Sequence, residues 1–287
     1  MCNAETVLYQ LTETSDFMMS FVIVTREDRV ILIDGGRPED MPLLKQYVGE
    51  RTVAAWILTH AHTDHISGFL SEYARQDGPA FPVERIYCHF PPYEPDRPDV
   101  EDRDYFRSEM DECLPEYLRL LPKFQEKVVA PRRGDRIRVD EVEIEFLFHY
   151  HDYLTSNLMN DSSLVFKLTG PNKSVLFLGD LGPEGGDVLY EESRDKLKAD
   201  LVQMAHHGHM NCGMEIYAAA APEACLWCCR DWLYDEPEIP AYLADRETLR
   251  RMGRQRMYGT AVTRRWMEAL GVRTHYVTKD GTQRICL

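Results

Sequence analysis

Residues 59–68 read THAHTDHISG, which places three imidazoles and a carboxylate (His60, His62, Asp64 and His65) within six positions, directly after the apolar run VAAWIL. The chain holds ten histidines, and eight of them bunch in HAHTDH, HYH and HHGH; only His89 and His275 stand apart. Imidazole and carboxylate are the donors that a borderline cation such as Zn2+ takes, at ~2.0–2.2 Å. In an extended segment, alternation points His60 and His62 to one side. Asp64 and His65 follow once the chain turns into a helix, so they face a neighbouring point. Adjacent donors aimed in two directions imply two cations rather than one.

Four residues cannot complete two such sites, and strand ends are the natural source of the rest. NDSSLVFKL places Asp161 just before a strand, LFLGDLG places Asp180 just after one, and MAHHGHMN places His206, His207 and His209 after another. Plainer readings compete. A lone histidine at a strand end is more often a surface or hydrogen-bonding residue, and Asp180 fits a simple turn. Such roles are favoured for His149 and His151. CLWCC reads as core thiols, because no second CxxC accompanies it, and Cys212 as an uninvolved thiol.

These donors need elements to hold them. MMSFVIVT, REDR and VILIDGG read as a β-hairpin, with Asp34-Gly35-Gly36 turning tightly at its end. MPLLKQYVGE reads as a short helix, VAAWILT as a strand buried on both faces, and HISGFLSEYARQ as a helix capped by Ser67. The proline-rich residues 77–100 enclose a short strand, RIYCHF; DYFRSEMDECLPEYLRLLPKFQEK is helical in pattern, with Pro115 as a break or first-turn residue. RIRVDEVEIEFLFH gives two strands, and SSLVFKLT and SVLFLGDLG an antiparallel pair around GPNK. ADLVQMAHHG is a strand ending in histidines, EACLWCC another, and the C-terminus alternates AVTRRWMEALG helix with RTHYVTKD and TQRICL strands. Strands in both halves with interspersed helices predict an α/β sandwich with helices outside two sheets. Candidate ligands come from both halves, so one domain over 1–287 is expected.

Composition limits the rest. At 287 residues and 44% hydrophobic, the chain can bury a sizeable core. No stretch approaches the ~20 apolar residues of a membrane span, and MCNAETVLYQLTETSD lacks the basic and apolar regions of a secretory signal. Eight cysteines in a long chain without an export signal read as reduced thiols and a cytoplasmic setting. A formal net charge of −15 repels polyanions such as nucleic acid. The densest basic run, RETLRRMGRQRMYGTAVTRR at 246–265, reads as a solvated helical face.

THAHTDHISG, together with the upstream VILIDGG and the later FLGD and HHG, resembles the metallo-β-lactamase-fold hydrolases, whose signature is HxHxDH. The resemblance runs from about residue 6 to the C-terminus, with residues 77–135 as an atypical proline-rich and helical insertion. NDSSLVFKL, VLFLGD and HHG are most similar to the subgroup of competence-type DNA-uptake hydrolase domains and phosphocholine esterases. The resemblance implies a four-layer αββα sandwich with a dinuclear metal site on one edge. It implies that His60 and His62 bind a first metal completed by Asp161, where many relatives have histidine. Asp64 and His65 bind a second, completed by His207 or else His206, and Asp180 bridges both. His207 is favoured as ligand, leaving His206 to face the substrate; Asp34 would fix the histidine loop by hydrogen bonds. His209 departs from the serine common in that subgroup. Position 62 is His rather than the Glu of the oxygen-reducing diiron branch, so two zinc ions are expected, with manganese or iron as alternatives.

The expected activity is hydrolysis of a phosphodiester or other small ester by a metal-bridging hydroxide, with Asp64 and Asp180 orienting it and His206 as proton donor or oxyanion ligand. Two alternatives share the fold: a non-catalytic binding protein and a nuclease, the latter opposed by the charge. β-Lactam hydrolysis does not follow from the fold. Residues 77–125 are expected over the site or at an interface, with Tyr93, Tyr105 and Phe106 favoured for packing.

Overall fold

Alternating side chains decide the layers. In the strand Ser20–Val24, Phe21 and Ile23 face one apolar cluster and Val22 another; in Val30–Asp34, Ile31 and Ile33 share the first and Leu32 the second. The same alternation divides Val175 and Phe177 from Leu176 in Ser174–Phe177. The first cluster lies between two sheets, where the Phe21 and Phe177 rings meet edge-on at 5.1 Å. The second receives the helices.

The computed structural model describes residues 5–14, 16, 18–98, 100, 103–154, 157–237 and 259–287. One seven-stranded sheet contains β1 (Val7–Gln10), β2 (Ser20–Val24), β3 (Val30–Asp34), β4 (Val53–Ile57), β5 (Ile86–Tyr87), β6 (Val128–Val129) and β14 (Gln283–Cys286), in the order β14-β1-β2-β3-β4-β5-β6. The other, also seven-stranded, contains β7 (Arg136–Val139), β8 (Val142–Phe148), β9 (Val165–Thr169), β10 (Ser174–Phe177), β11 (Leu201–Gln203), β12 (Ala224–Trp227) and β13 (Thr274–Val277), in the order β13-β12-β11-β10-β9-β8-β7. Each sheet makes three antiparallel pairings and three parallel ones. Parallel neighbours require crossovers. Helices α1 (Met41–Val48), α2 (Thr63–Ala74), α5 (Pro183–Ser193) and α6 (Met214–Ala220) provide four of the six, for β3–β4, β4–β5, β10–β11 and β11–β12. The sheets are thus flanked by helices in the expected α/β sandwich. Trp56 of β4 packs edge-on against Phe69 of α2 at 4.9 Å, so β4 is buried on both faces.

Residues 77–135 contribute β5 and β6 to the first sheet and the helix α3 (Arg103–Leu120), which packs on α2. Two expectations need correction. Pro115 lies inside α3 rather than breaking or starting it. The buried stripe Phe106, Met110, Cys113, Leu114, Tyr117 and Leu120 offsets the ~3 kcal/mol that an interior proline costs. Ser67 is not the cap of α2: the helix starts at Thr63 with His62 in the cap position, and the Ser67 hydroxyl donates to the Thr63 carbonyl. Short helices α4 (Leu158–Asp161) and α7 (Asp231–Tyr234) and a longer α8 (Thr260–Ala269) lie in the second half of the chain. Within the basic run, residues 246–258 lie outside the described residues, as does Cys2; the seven described cysteines are unbridged. Among the described residues, no helix is long and apolar enough to cross a membrane.

Candidate metal centre

The centre forms where strands of both sheets end. β3 finishes at Asp34, which holds a left-handed φ of 52°, a conformation that aspartate tolerates better than most residues. Its carboxylate turns back to the β4–α2 loop. Oδ1 accepts from the Thr59 amide at 2.7 Å, and Oδ2 accepts from the Thr59 hydroxyl at 2.7 Å and from His65 Nδ1 at 2.8 Å. The Gly35 amide donates to the His65 carbonyl at 2.9 Å, and the Gly68 amide to the Gly36 carbonyl at 2.8 Å, pinning α2 to the turn. Asp64 enters in the first turn of α2, where the helix N-terminus favours a negative charge.

The second sheet supplies the rest. After β10, Gly179 adopts φ 56° and presents Asp180, whose amide donates to Ser163 Oγ at 3.0 Å. Gln203 of β11 braces this turn: its Oε1 accepts from the Leu178 amide at 2.8 Å and its Nε2 donates to the Gly179 carbonyl at 3.0 Å. Past β11, His206 and His207 both lie in left-handed backbone, at φ 48° and 55°. His207 Nδ1 donates to the Cys228 carbonyl at 2.6 Å.

Ligand atoms of Asp64, His65, Asp180 and His207, all four residues buried, lie within 4.8 Å of one another. His207 Nε2 is 3.0 Å from Asp64 Oδ2 and 3.3 Å from Asp180 Oδ2; His65 Nε2 is 3.3 Å from Asp180 Oδ2 and 3.7 Å from Asp64 Oδ2. With the two Nδ1–H groups committed to Asp34 and Cys228, both neutral imidazoles turn Nε2 lone pairs toward the carboxylates. His65 Nε2 and Asp180 Oδ1 are buried without a hydrogen-bond partner. Two nitrogens and two carboxylates converging in this way fit a divalent cation.

The electrostatics agree with that fit. Burial penalises ionised Asp64 and Asp180, yet His65 and His207 hold both below the usual carboxylate range. Burial opposes the His207 imidazolium, but Asp180 and Asp64 outweigh it and push the group up to about 10. His65 rises in the same way, against burial, under Asp180, Asp64 and Asp34. The carboxylate pair demands positive charge, which protons on the imidazoles or a divalent cation can supply. Burial, by contrast, lowers His206 and His209.

The other expected site residues are placed differently. His60 Nε2 lies 3.9 Å from Asp180 Oδ2 and 3.0 Å from His62 Nδ1. His62 Nε2 meets Glu109 Oε2 of α3 at 2.8 Å, and Glu109, with Glu112 and Asp64, raises the imidazole to about 9 against burial. Asp161 ends α4, where its Oδ1 accepts from the Gly185 amide at 2.9 Å, in the first turn of α5. His206, partly exposed, points Nε2 toward Asp180 Oδ2 at 3.9 Å, with Nδ1 3.3 Å from the Met210 carbonyl. Its ring lies 4.6 Å from that of His209. Phe106 is buried in the core, Tyr105 contacts Asn157 at 3.2 Å, and Tyr93 donates to Asp111 at 2.7 Å. Sequence reasoning missed Glu109 and Glu112. Their only local signal is an acidic i, i+3 pair beside an apolar stripe, which also describes a solvated helix face.

A family model described as the metallo-beta-lactamase superfamily matches residues 16–217. Among solved structures, the metallo-beta-lactamase fold protein YhfI from Bacillus subtilis has a TM-score of 0.55 at 14% identity, covering 98% of this chain and 100% of that one. CmlA, a diiron beta-hydroxylase from Streptomyces venezuelae, has a TM-score of 0.56 at 14% identity; 99% of this chain is covered, and it spans 54% of CmlA. Both likenesses concern the fold alone. No curated protein matches the sequence.

Proposed function

Because the chain belongs to the metallo-β-lactamase superfamily, we propose that it is a metal-dependent hydrolase acting on a phosphodiester or another small ester. One observation carries this reading: Asp64, His65, Asp180 and His207 converge from the ends of two sheets with ligand atoms within 4.8 Å. The donor set suits zinc and accommodates manganese or iron. A bound divalent ion would acidify a coordinated water and polarise the carbonyl or phosphoryl oxygen of the substrate.

The chain's own groups do the remaining work. Asp34 and the Cys228 carbonyl fix the tautomers of His65 and His207, so that the donor atoms stay aimed. Asp180 reaches His60, His65, His206 and His207 through Oδ2, which places it at the middle of the centre. His206 stands at the partly exposed side. With Nδ1–H directed at the Met210 carbonyl, Nε2 is the atom that exchanges a proton with the reacting oxygen and then with the leaving alkoxide. No serine or cysteine nucleophile is needed, and Cys212 and Cys228 are buried thiols raised by burial. A small substrate is favoured over nucleic acid by the net charge of −15.

Elemental analysis of the purified chain, followed by turnover of bis-p-nitrophenyl phosphate and a lactone panel, tests the proposal. At least one equivalent of bound divalent metal and turnover of one substrate class are expected. His206→Ala should lower kcat by about 100-fold with metal content unchanged. Less than one equivalent, together with no turnover on either panel, sinks the reading.

A further inference from the structure

Beside the metal centre, where β1, β12 and β13 end, Thr12, Glu13, Arg230, Asp231, Lys279 and Asp280 line a cavity of about 330 Å3. We propose that this cavity binds the primary ammonium group of a small ligand, with the Glu13 carboxylate as its counter-charge. His207 follows β11, and β11, β12 and β13 are parallel neighbours, so the cavity opens on the same edge of the second sheet. Two strand spacings of ~4.8 Å put it ~10 Å from the centre.

Counting hydrogens carries the first step. Glu13 is only 8% exposed, yet its Oε2 has no hydrogen-bond partner. Its Oε1 accepts from the Thr278 hydroxyl at 3.1 Å. That hydroxyl owns one hydrogen, and it stands as close to the Cys229 carbonyl, at 3.2 Å, and the Trp227 carbonyl, at 3.3 Å. Buried Gln10 donates Nε2–H to the Trp227 carbonyl at 2.8 Å, which leaves its Oε1 without a partner. Acceptors therefore outnumber hydrogens around Glu13, and buried acceptors are seldom left so.

Charge carries the second step. A water serves an orphaned oxygen but does not balance a carboxylate. Burial raises Glu13 above the usual carboxylate range, against the Thr278 hydroxyl, His207 and Arg230. Lys279 is drawn away to Asp235 at 2.8 Å and lies 4.7 Å from the centre of the Tyr234 ring. Exposed Asp231 and Asp280 leave three carboxylates against two cations around the cavity. A primary ammonium brings both a positive charge and three N–H donors, which make charge-assisted hydrogen bonds to a carboxylate. A quaternary ammonium brings the charge alone.

The test uses the full-length protein as purified and ethylammonium, titrated by ligand-observed NMR, with tetramethylammonium and potassium as controls. Wild type should bind ethylammonium about 10-fold more tightly than either control. Glu13→Gln keeps the shape and removes the charge, and should weaken ethylammonium about 10-fold or more. Arg230→Gln removes a like charge and should tighten it about 2-fold; a loosened fold would not change the affinity in that direction, so this variant decides the matter should Glu13→Gln fold poorly. No saturable binding, equal affinity for all three cations, or an ethylammonium affinity that neither substitution moves overturns the inference and leaves Glu13 to water or a proton. A further arm rests on the hydrolase reading and identifies where the amine comes from, by comparing a p-nitrophenyl ester bearing a terminal primary amine with its N-trimethyl analogue. A preference of about 10-fold for the primary amine that falls in Glu13→Gln makes the ammonium the substrate's own. Equal turnover of the two, with ethylammonium still bound, makes it a separate ligand. Turnover of neither, with ethylammonium still bound, counts against the hydrolase reading alone.

Discussion

At Asp34 a carboxylate that faces no substrate gathers three donors, the Thr59 amide, the Thr59 hydroxyl and His65 Nδ1, from a backbone at φ 52°. Its effect on the centre is indirect, since it fixes which nitrogen of His65 carries the proton and where the other points. Asp34→Asn keeps the shape and tolerates the left-handed backbone. It also replaces one acceptor by an NH2 group, so either the loop or His65 loses its partner. Metal affinity should fall about 10–100-fold, and stability by ~1–3 kcal/mol for the unsatisfied buried donor. Competition with a chromophoric chelator measures the first and urea unfolding the second. Unchanged affinity would mean that the His65 ring is held by packing alone.

Helix α2 runs so close to the β3–α1 turn that Gly68 has no room for a side chain: an added Cβ would lie 2.7 Å from the Gly35 carbonyl oxygen, 2.8 Å from Met41 Sδ and 3.0 Å from the Arg37 carbonyl oxygen. Gly68→Ala improves helix propensity by ~1 kcal/mol but forces the helix off the turn at a cost of ~1–3 kcal/mol. Net destabilisation with weaker metal binding is expected in urea titrations and metal counts, because His65 moves with the helix; a net gain in stability would show that α2 slides freely. The sequence made this element legible only in part. An apolar strand followed by packed imidazoles is a short-range pattern, so β4 and the HAHTDH donors stand out, and the alternation of β2, β3, β9 and β10 is equally local. The start of α2 does not show, because its cap is set by the ligand loop, with the Ile66 amide donating to the His62 carbonyl at 3.0 Å, and not by the serine four residues on. Continuity of α3 through Pro115 depends on an apolar stripe whose partners lie elsewhere in the chain. The meeting of Glu109 and His62 is 47 residues long-range, beyond any periodicity. Helix α5 was hidden by its two glycines, Gly185 and Gly186, and with it the engagement of Asp161 by the Gly185 amide.

The whole molecule brings a formal charge of −15 to a centre whose buried donors are themselves half carboxylate. Two divalent cations would offset only part of that field, so an anionic phosphodiester approaches against net repulsion, which salt relieves within a Debye length of about 10 Å at 0.1 M. A nuclease built on a basic groove shows the opposite sign, because releasing counterions from the phosphate backbone makes binding fall steeply with salt. On bis-p-nitrophenyl phosphate, kcat/KM should therefore rise modestly, by about 2-fold, between low and physiological ionic strength. A neutral lactone should show no such trend, and single-stranded DNA should not compete. The neutral substrate separates screening from any effect of salt on the protein itself, since such an effect would move both substrates together. A fall in kcat/KM with salt for the phosphodiester alone, accompanied by competition from DNA, would reveal a local positive surface strong enough to reverse the global field. The acting substrate would then be a nucleic acid rather than a small ester.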